Sequence, residues 1–587
     1  MSSYDARPVI DVSALSGGVE GYEAIRSVLR ERLDAGARGG ESARAVLAVE
    51  CYPGVDLEEV SRELVGPLEP ALVVCADEVM QDARAIQARI ADHITDDRVF
   101  GVMSHYTLDQ FVDADRVRAA RDRVARADGL VVLYGFGATR IADPDVLVYA
   151  DLTRWEIQLR QRRGACNWMA DNSDEDQLRK FKRGYFFEWR MADREKRRLF
   201  DRWDYLLDTN RAGSPAMVEG GLFRRALEMG SRRPFRLVPY FDASVWGGHW
   251  MQRRFGLDPD AENFGWAFDG VPEENSLVFR FSGAEVEVPA IDMVLFQPDN
   301  LLGPKVRARF GCEFPIRFDF LDTMGGGNLS LQVHPLTEYV QDVFGVHYTQ
   351  DESYYILDAT ERSCVYLGVR EGVSREELVA DLRRAESGAD TFHDELFVNR
   401  IPVRKHDHVL IPAGTIHCSG PDTVVLEISA TPYIFTFKLW DWGRVGLDGL
   451  PRPVHIDHGE KNIRMDRTTD YVLEHQVDRA DAPHENLSSQ PGVVEERTGL
   501  HELEFIETRR HWFDDSATLA THESVNMLNL VEGESVTVES IDGSFEPYVV
   551  HYGETFVVPE CVGEYVLRNT GEPGGKVGVI QAFVRIP

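Results

Sequence analysis

Residues 328–335 read NLSLQVHP, residues 350–359 read QDESYYILDA and residues 408–420 read HVLIPAGTIHCSG. These three stretches decide the reading of the β-rich half of the chain. In a strand, side chains two apart share a face, so Gln332 and His334 aim at one point. Glu352 opens a second strand. His417 follows the Pro412-Ala413-Gly414 turn, which reverses the chain into a further strand. Two imidazoles, one carboxylate and one amide oxygen inside a β-barrel make a mixed nitrogen–oxygen site with room for water. That donor set suits one catalytic Zn²⁺ per chain, ahead of Fe²⁺ or Mn²⁺. A single histidine in such a run is most often a satisfied structural residue; the four residues in this order outweigh that reading. His406 and His408 also stand two apart and compete as ligands, although Asp407 and its turn read better as the beginning of a strand. His347, His393 and His455 read as structural or surface residues.

Outward from this stretch, residues from about 234 are punctuated by Gly and Pro and carry short alternating runs. Examples are FRLVPYFD (235–242), SLVFRFSG (276–283), EVEVPA (285–290), FPIRFDFLD (314–322) and TVVLEIS (423–429). Many short strands separated by turns predict a sandwich or barrel. Residues 373–387, VSREELVADLRRAES, interrupt them with a helix capped by Ser374. A polar connection at 475–492 leads to a last all-β piece from about Leu500, resembling a smaller version of the preceding barrel. Ahead of residue 234 the pattern is different. After a lead-in (1–42) with one helix, Tyr22 to Leu33, and a Gly-rich turn at 35–42, apolar runs at 43–50, 71–79, 129–137 and 145–152 alternate with charged helical stretches. Buried strands alternating with helices predict a parallel α/β sheet. The predicted organisation is therefore multidomain: lead-in 1–42, α/β domain 43–233, metal-binding all-β domain 234–465 and C-terminal all-β domain 466–587.

A chain of 587 residues exceeds one hydrophobic core, in keeping with several domains. The formal net charge of −34 argues against nucleic acid as a partner, because phosphate neutralisation needs clustered Lys and Arg. An anionic substrate must then meet a local basic pocket. Seven cysteines without CxxC spacing fit reduced thiols. The N-terminal MSSYDARPVIDVS has no apolar run of a signal peptide, and no window reaches about 18 uninterrupted apolar residues, the length of a membrane span. The expected compartment is the cytoplasm, with no membrane partner.

P-x-G-x-x-H, here Pro412 to His417, recurs as the second metal motif of cupins. Residues from Val238 to near Arg464 resemble the type I, zinc-dependent mannose-6-phosphate isomerases of that superfamily. The resemblance rests on SVWGGHWMQRRFGL (244–257), NLLGPKV (300–306), FPIRFDFLDT (314–323) running into NLSLQVHP, then DESYYILDA, IPAGTIHCSG, VLEIS and DWGR in the family's order. It implies Gln332, His334, Glu352 and His417 as zinc ligands and a smaller C-terminal jelly roll beside the catalytic cupin jelly roll. It also implies interconversion of mannose 6-phosphate and fructose 6-phosphate through a cis-enediol, with a base, a cation and a Lewis acid at the reacting oxygens. Departures accompany the matches. Lys438 stands where the family has an Arg judged catalytic, keeping the charge without the fork. Asp319 replaces a strand Lys, Thr349, Gln350 and Asp351 replace Gly-Lys-Thr, and Ala267 replaces a Glu. Arg317, Lys405 and Arg444 are the candidate substrate-binding cations in their place. Glu427 reads equally well as a support to the ligands or as a structural residue. An isomerase of another sugar, or a non-catalytic metal-stabilised sugar-phosphate sensor, are the competing readings.

In the first third, AVLAVECYPGVDLEE (45–59) sits where a P-loop would sit, but its Gly-Lys-Ser/Thr positions are Asp56, Leu57 and Glu58. Acids there would repel a triphosphate. GLVVLYGFGA (129–138) and VLVYADLTRWEIQLRQRR (146–163) resemble the later strands and basic lid of uridine-kinase-like P-loop kinases. The resemblance implies a degenerate kinase-like domain without ATP chemistry and with no nucleotide-binding residues. The cluster Arg154, Arg160, Arg162 and Arg163 is either a solvated helix face or a retained anion pocket.

Overall fold

The strands Ala45–Cys51, Leu130–Gly135 and Val146–Asp151 carry almost continuous apolar, buried side chains, the pattern of strands covered on both faces. In the computed structural model, which describes residues 3–37, 44–433, 435–499, 504–572 and 574–586, they form the centre of a seven-stranded sheet. Its order is Val19–Glu20, Ala216–Glu219, Tyr205–Asp208, Val146–Asp151, Ala45–Cys51, Leu130–Gly135, Leu72–Cys75. The last five of these are mutually parallel, and the first two add antiparallel at one edge. From Ala45–Cys51 the chain runs outward to Leu72–Cys75, returns to the gap between them, then crosses to the other side. Helical turns from Leu57 to Leu68 make the first connection and helices Ala83–Ile94 and Ala114–Arg126 the second, while Arg154–Arg162 leads on from Val146–Asp151 toward Tyr205–Asp208.

The chain divides into two compact units, Val9–Met229 with Ser276–Asp292, and Met1–Pro8 with Gly230–Asn275 and Met293–Pro587. This corrects a division by strand pattern alone, which gives SLVFRFSG and EVEVPA to the metal-binding domain and leaves residues 1–42 as a helical lead-in. Val9–Ser16 is a strand, and it pairs in parallel with Ser276–Ser282, which in turn pairs with Glu285–Pro289. The hairpin is fixed in the first unit by side chains that no local pattern announces. Glu287 N–H donates to Asp208, Asn210 donates to the Glu287 carbonyl, and Phe279 meets Phe223 edge-on. Lys196, fully buried, bridges Asp151 at 2.6 Å and Asp292 at 2.8 Å. The Gly-rich turn at 35–42 falls largely outside the described residues, as does Leu500.

The second unit is antiparallel. One sheet runs Val477–Asp478, His408–Ile411, Asp351–Ala359, Thr423–Ala430, Arg317–Asp322, Trp266–Gly270, Tyr240–Asp242, and another runs Val398–Pro402, Cys364–Val369, His417–Ser419, Leu331–Val333, Phe437–Trp440. The helix Arg375–Glu386 interrupts the second sheet's connections, and the Ser374 hydroxyl accepts the Glu377 N–H at its start, as its sequence predicts. Residues beyond Val494 form two further sheets, of five and four strands. Leu528, Leu530, Phe556 and Val579 from the five-stranded sheet share one core with Val536, Val538, Tyr565 and Leu567 from the four-stranded one, so these two sheets pack face to face.

Candidate metal centre

Gln332 is the hinge of the site. On one side its strand pairs it with His417, on the other with Lys438. Directly paired residues in an antiparallel ladder share a face, so these three side chains line one surface. His334, two residues on, joins them. Glu352 comes from the other barrel sheet, and it lies 2.6 Å (Oε2) from His334 Nε2 and 3.6 Å (Oε1) from His417 Nε2. The centre therefore lies between the two sheets. All four predicted ligands are brought together, and among the described residues His334, Glu352 and His417 are the one group of acidic, His and Cys side chains close enough to share an ion.

Each imidazole is oriented by its far nitrogen. His334 Nδ1–H donates to the Phe435 carbonyl at 2.9 Å, and His417 Nδ1–H to the Thr415 carbonyl at 3.0 Å. Both Nε2 lone pairs consequently face Glu352, the tautomer that a metal requires. Burial pushes the His417 pKa down to about 4 and lowers that of His334, so both rings are neutral at neutral pH. Burial also raises the pKa of Glu352, whose Oε1 has no hydrogen-bond partner. Two lone pairs and an unpartnered buried carboxylate oxygen are costly side by side, and a divalent cation satisfies all of them. Gln332 places its amide 3.3 Å from His417 Nε2, with Thr436 Oγ1 at 3.2 Å on the other end. A half-turn of the amide would present its oxygen to the centre, and the Thr436 hydroxyl can pair with either end. The residues fit zinc.

The expected cations separate. Lys438 lies on the Gln332 face and half-buried, beside the centre. Arg317 also points inward, but it is 1% exposed and held by Glu427 at 2.6 Å and Asp319 at 2.8 Å; both carboxylates already neutralise it. Arg444 is tied to Asp441 and to the Asn328 carbonyl, beside the far end of the Lys438 strand. Lys405 is not brought to the centre. It pairs with Glu532 on a separate cavity of about 420 Å³ shared with Trp250, Arg254 and Tyr552, because its position before the His408 strand places it outside the barrel interior. His408 bonds Ser353 and Thr498, and His406 bonds Tyr355, so neither competes for the ion. Local reading missed the support given by Gln350 and Ser429. Their signal was positional: Gln350 stands two residues before Glu352, and Ser429 pairs with Glu352 across the strands.

In the parallel unit, the loop after Ala45–Cys51 ends at Asp56, whose carboxylate accepts the N–H groups of Glu58 and Glu59 at 3.0 and 2.9 Å. The amides that could receive a phosphate are occupied by the chain's own acid. Of the Arg cluster, Arg154 is buried on Asp193, Arg160 is engaged by Glu156 and the Gly54 carbonyl, and Arg162 and Arg163 are exposed.

A family model described as a domain of unknown function (DUF8485) matches residues 21–232. The rest of the chain is similar to curated proteins. Mannose-6-phosphate isomerase ManA of Bacillus subtilis (strain 168) is 24% identical over 343 residues, covering 58% of this chain and 97% of that protein. Mannose-6-phosphate isomerase of Streptococcus mutans serotype c is 28% identical over 226 residues, covering 38% of this chain and 66% of that one. Among solved structures, a mannose 6-phosphate isomerase from Bacillus subtilis aligns with a TM-score of 0.47 at 21% identity, over 60% of this chain and 99% of that one.

Proposed function

We propose that the chain is a zinc-dependent aldose–ketose isomerase that interconverts mannose 6-phosphate and fructose 6-phosphate. The observation that carries this reading is the buried His334–Glu352–His417 cluster with Gln332 beside it. It stands in a stretch alignable with nearly the whole length of a curated mannose-6-phosphate isomerase. Zinc, when bound, supplies positive charge against the negative charge that a sugar oxygen gains as a proton moves between C1 and C2. Lys438 supplies a second positive charge from the same face as Gln332 and is the residue we assign to that oxygen. The Phe435 and Thr415 carbonyls hold the two imidazoles in register, with their Nε2 atoms toward the centre. Arg444 is a candidate for the phosphate; Arg317 is not, being neutralised in the interior by Glu427 and Asp319.

A second reading, a metal-stabilised sugar-phosphate sensor without turnover, is favoured by the neutralisation of Arg317, which leaves few cations free for a phosphate. Incubating zinc-loaded protein with mannose 6-phosphate and assaying fructose 6-phosphate separates the two: product is expected, and tight binding without product would select the sensor. In this reading residues 234–478, without the Ser276–Asp292 hairpin, are a cupin barrel and the sheets from Val494 onward a second jelly roll. The unit Val9–Met229 with Ser276–Asp292 is a P-loop-kinase-like domain without ATP chemistry, a reading supported by the order of the five parallel strands and the self-capped Asp56 turn. The expected location is the cytoplasm; among the described residues no helix is long and apolar enough to cross a membrane.

A further inference from the structure

Two buried carboxylates, Glu352 and Glu427, stand beside the imidazole pair, and one neutral side chain joins them. Gln350 Nε2 donates to Glu352 Oε2 at 3.0 Å and to Glu427 Oε1 at 3.1 Å. The two oxygens are thus no farther apart than two hydrogen bonds allow. Either carboxylate could serve a cation placed among His334, His417 and Gln332, yet Glu352 is the one whose oxygens face both rings. Glu427 is drawn the other way, by Arg317 at 2.6 Å and the Ser429 hydroxyl at 2.9 Å.

The Gln350 amide cannot flip. Its oxygen accepts the Phe435 N–H at 2.9 Å, and the carbonyl of the same residue receives His334 Nδ1–H. Turned by 180°, the amide would set its oxygen against two carboxylates and its NH₂ against an N–H. No charged side chain does the same work at this position, since Lys offers no acceptor for Phe435 and Glu no donor for the carboxylates. Gln350 is 1% exposed, so solvent does not substitute for it.

We propose that Gln350 is a positioning residue that selects the ligating carboxylate: it holds Glu352 at the metal position and, with Arg317 and Ser429, holds Glu427 off it. This rests on the metal-centre reading above. Removing the amide leaves two buried carboxylates adjacent and unbridged, with Glu427 released to compete for the ion or to push Glu352 from it.

The test uses the full chain loaded with Co²⁺, whose visible absorption reports the ligand set, and with Zn²⁺ titrated against a chelator. Gln350→Leu is expected to weaken zinc affinity by about 10- to 100-fold and to change the Co²⁺ spectrum. In the Gln350→Leu/Glu427→Gln double variant the competing carboxylate is gone, so the parent spectrum and most of the affinity should return. A change that only loosened packing would not be rescued in this way. An unaltered spectrum and affinity in Gln350→Leu overturns the proposal, as does a double variant that recovers neither. Should Gln350→Leu fail to fold, Glu427→Gln alone decides: the parent spectrum is expected, and a changed one means Glu427 is already a ligand, against the proposal. Parent protein that takes up no metal overturns the metal-centre reading itself, before any substitution is made.

Discussion

At the scale of single residues, the centre is defined by what holds the ligands as much as by the ligands. His334 and His417 each have one nitrogen committed to a backbone carbonyl and the other to the ion position. Their replacement removes a donor that nothing nearby duplicates. His334→Ala and His417→Ala are each expected to abolish stoichiometric zinc in elemental analysis of purified protein; full zinc in either would remove that residue from the ligand set. Lys438 keeps the positive charge next to Gln332 while offering a point charge instead of a fork. Lys438→Ala is expected to lower kcat by about 10²-fold with zinc content unchanged, and an unaltered kcat would mean that another group supplies the charge. The strand alternation made Gln332 and His334 readable from sequence, and the Pro412-Gly414 turn did the same for His417. The fate of Arg317 was not readable. Arg317 and Asp319 share a face by spacing, but Glu427, over a hundred residues away, completes their ion-pair cluster only once the strands are in register.

At the scale of elements, the strand–loop–helix at residues 45–59 ends in a turn whose free amides are filled by the chain's own acid. Asp56 caps the helix that follows, and Glu58 and Glu59 add negative charge at the same end. Mg·ATP at millimolar concentration is therefore expected to leave the thermal melting curve of the chain unshifted, and to be hydrolysed no faster than in buffer. A stabilising shift would show that the phosphate is received elsewhere in this unit. Sequence sufficed here because a cap acts within three residues. The strands Tyr205–Asp208 and Ala216–Glu219 are not announced by their sequence, since four-residue strands leave too little alternation to register.

At the scale of the whole molecule, the first unit is completed by residues that lie far from it in sequence. Ser276–Asp292 contributes a hairpin to it, and Lys196 between Asp151 and Asp292 is the buried ionic link. Removing one partner of such a group leaves charge uncompensated in the interior. Lys196→Ala, which leaves the Asp151 and Asp292 carboxylates without their cation, is expected to cost about 3–5 kcal/mol, read as a lowered melting temperature of the full chain. A melting temperature equal to the parent's would show that the link contributes nothing net.

The sequence by itself determined what depends on local spacing: the alternation that puts Gln332 and His334 on one face, the turn before His417, the cap at Ser374 and the acid-filled turn at Asp56. Those features act over a few residues, where backbone geometry alone sets direction. The tertiary structure decided everything that needs two distant segments to meet. It placed Glu352 against both imidazoles, neutralised Arg317 inside the barrel, kept Lys405 away from the centre and gave the Ser276–Asp292 hairpin to the first unit. Pairing between distant strands is fixed by burial and register over the whole sheet, and no short window of sequence contains that information.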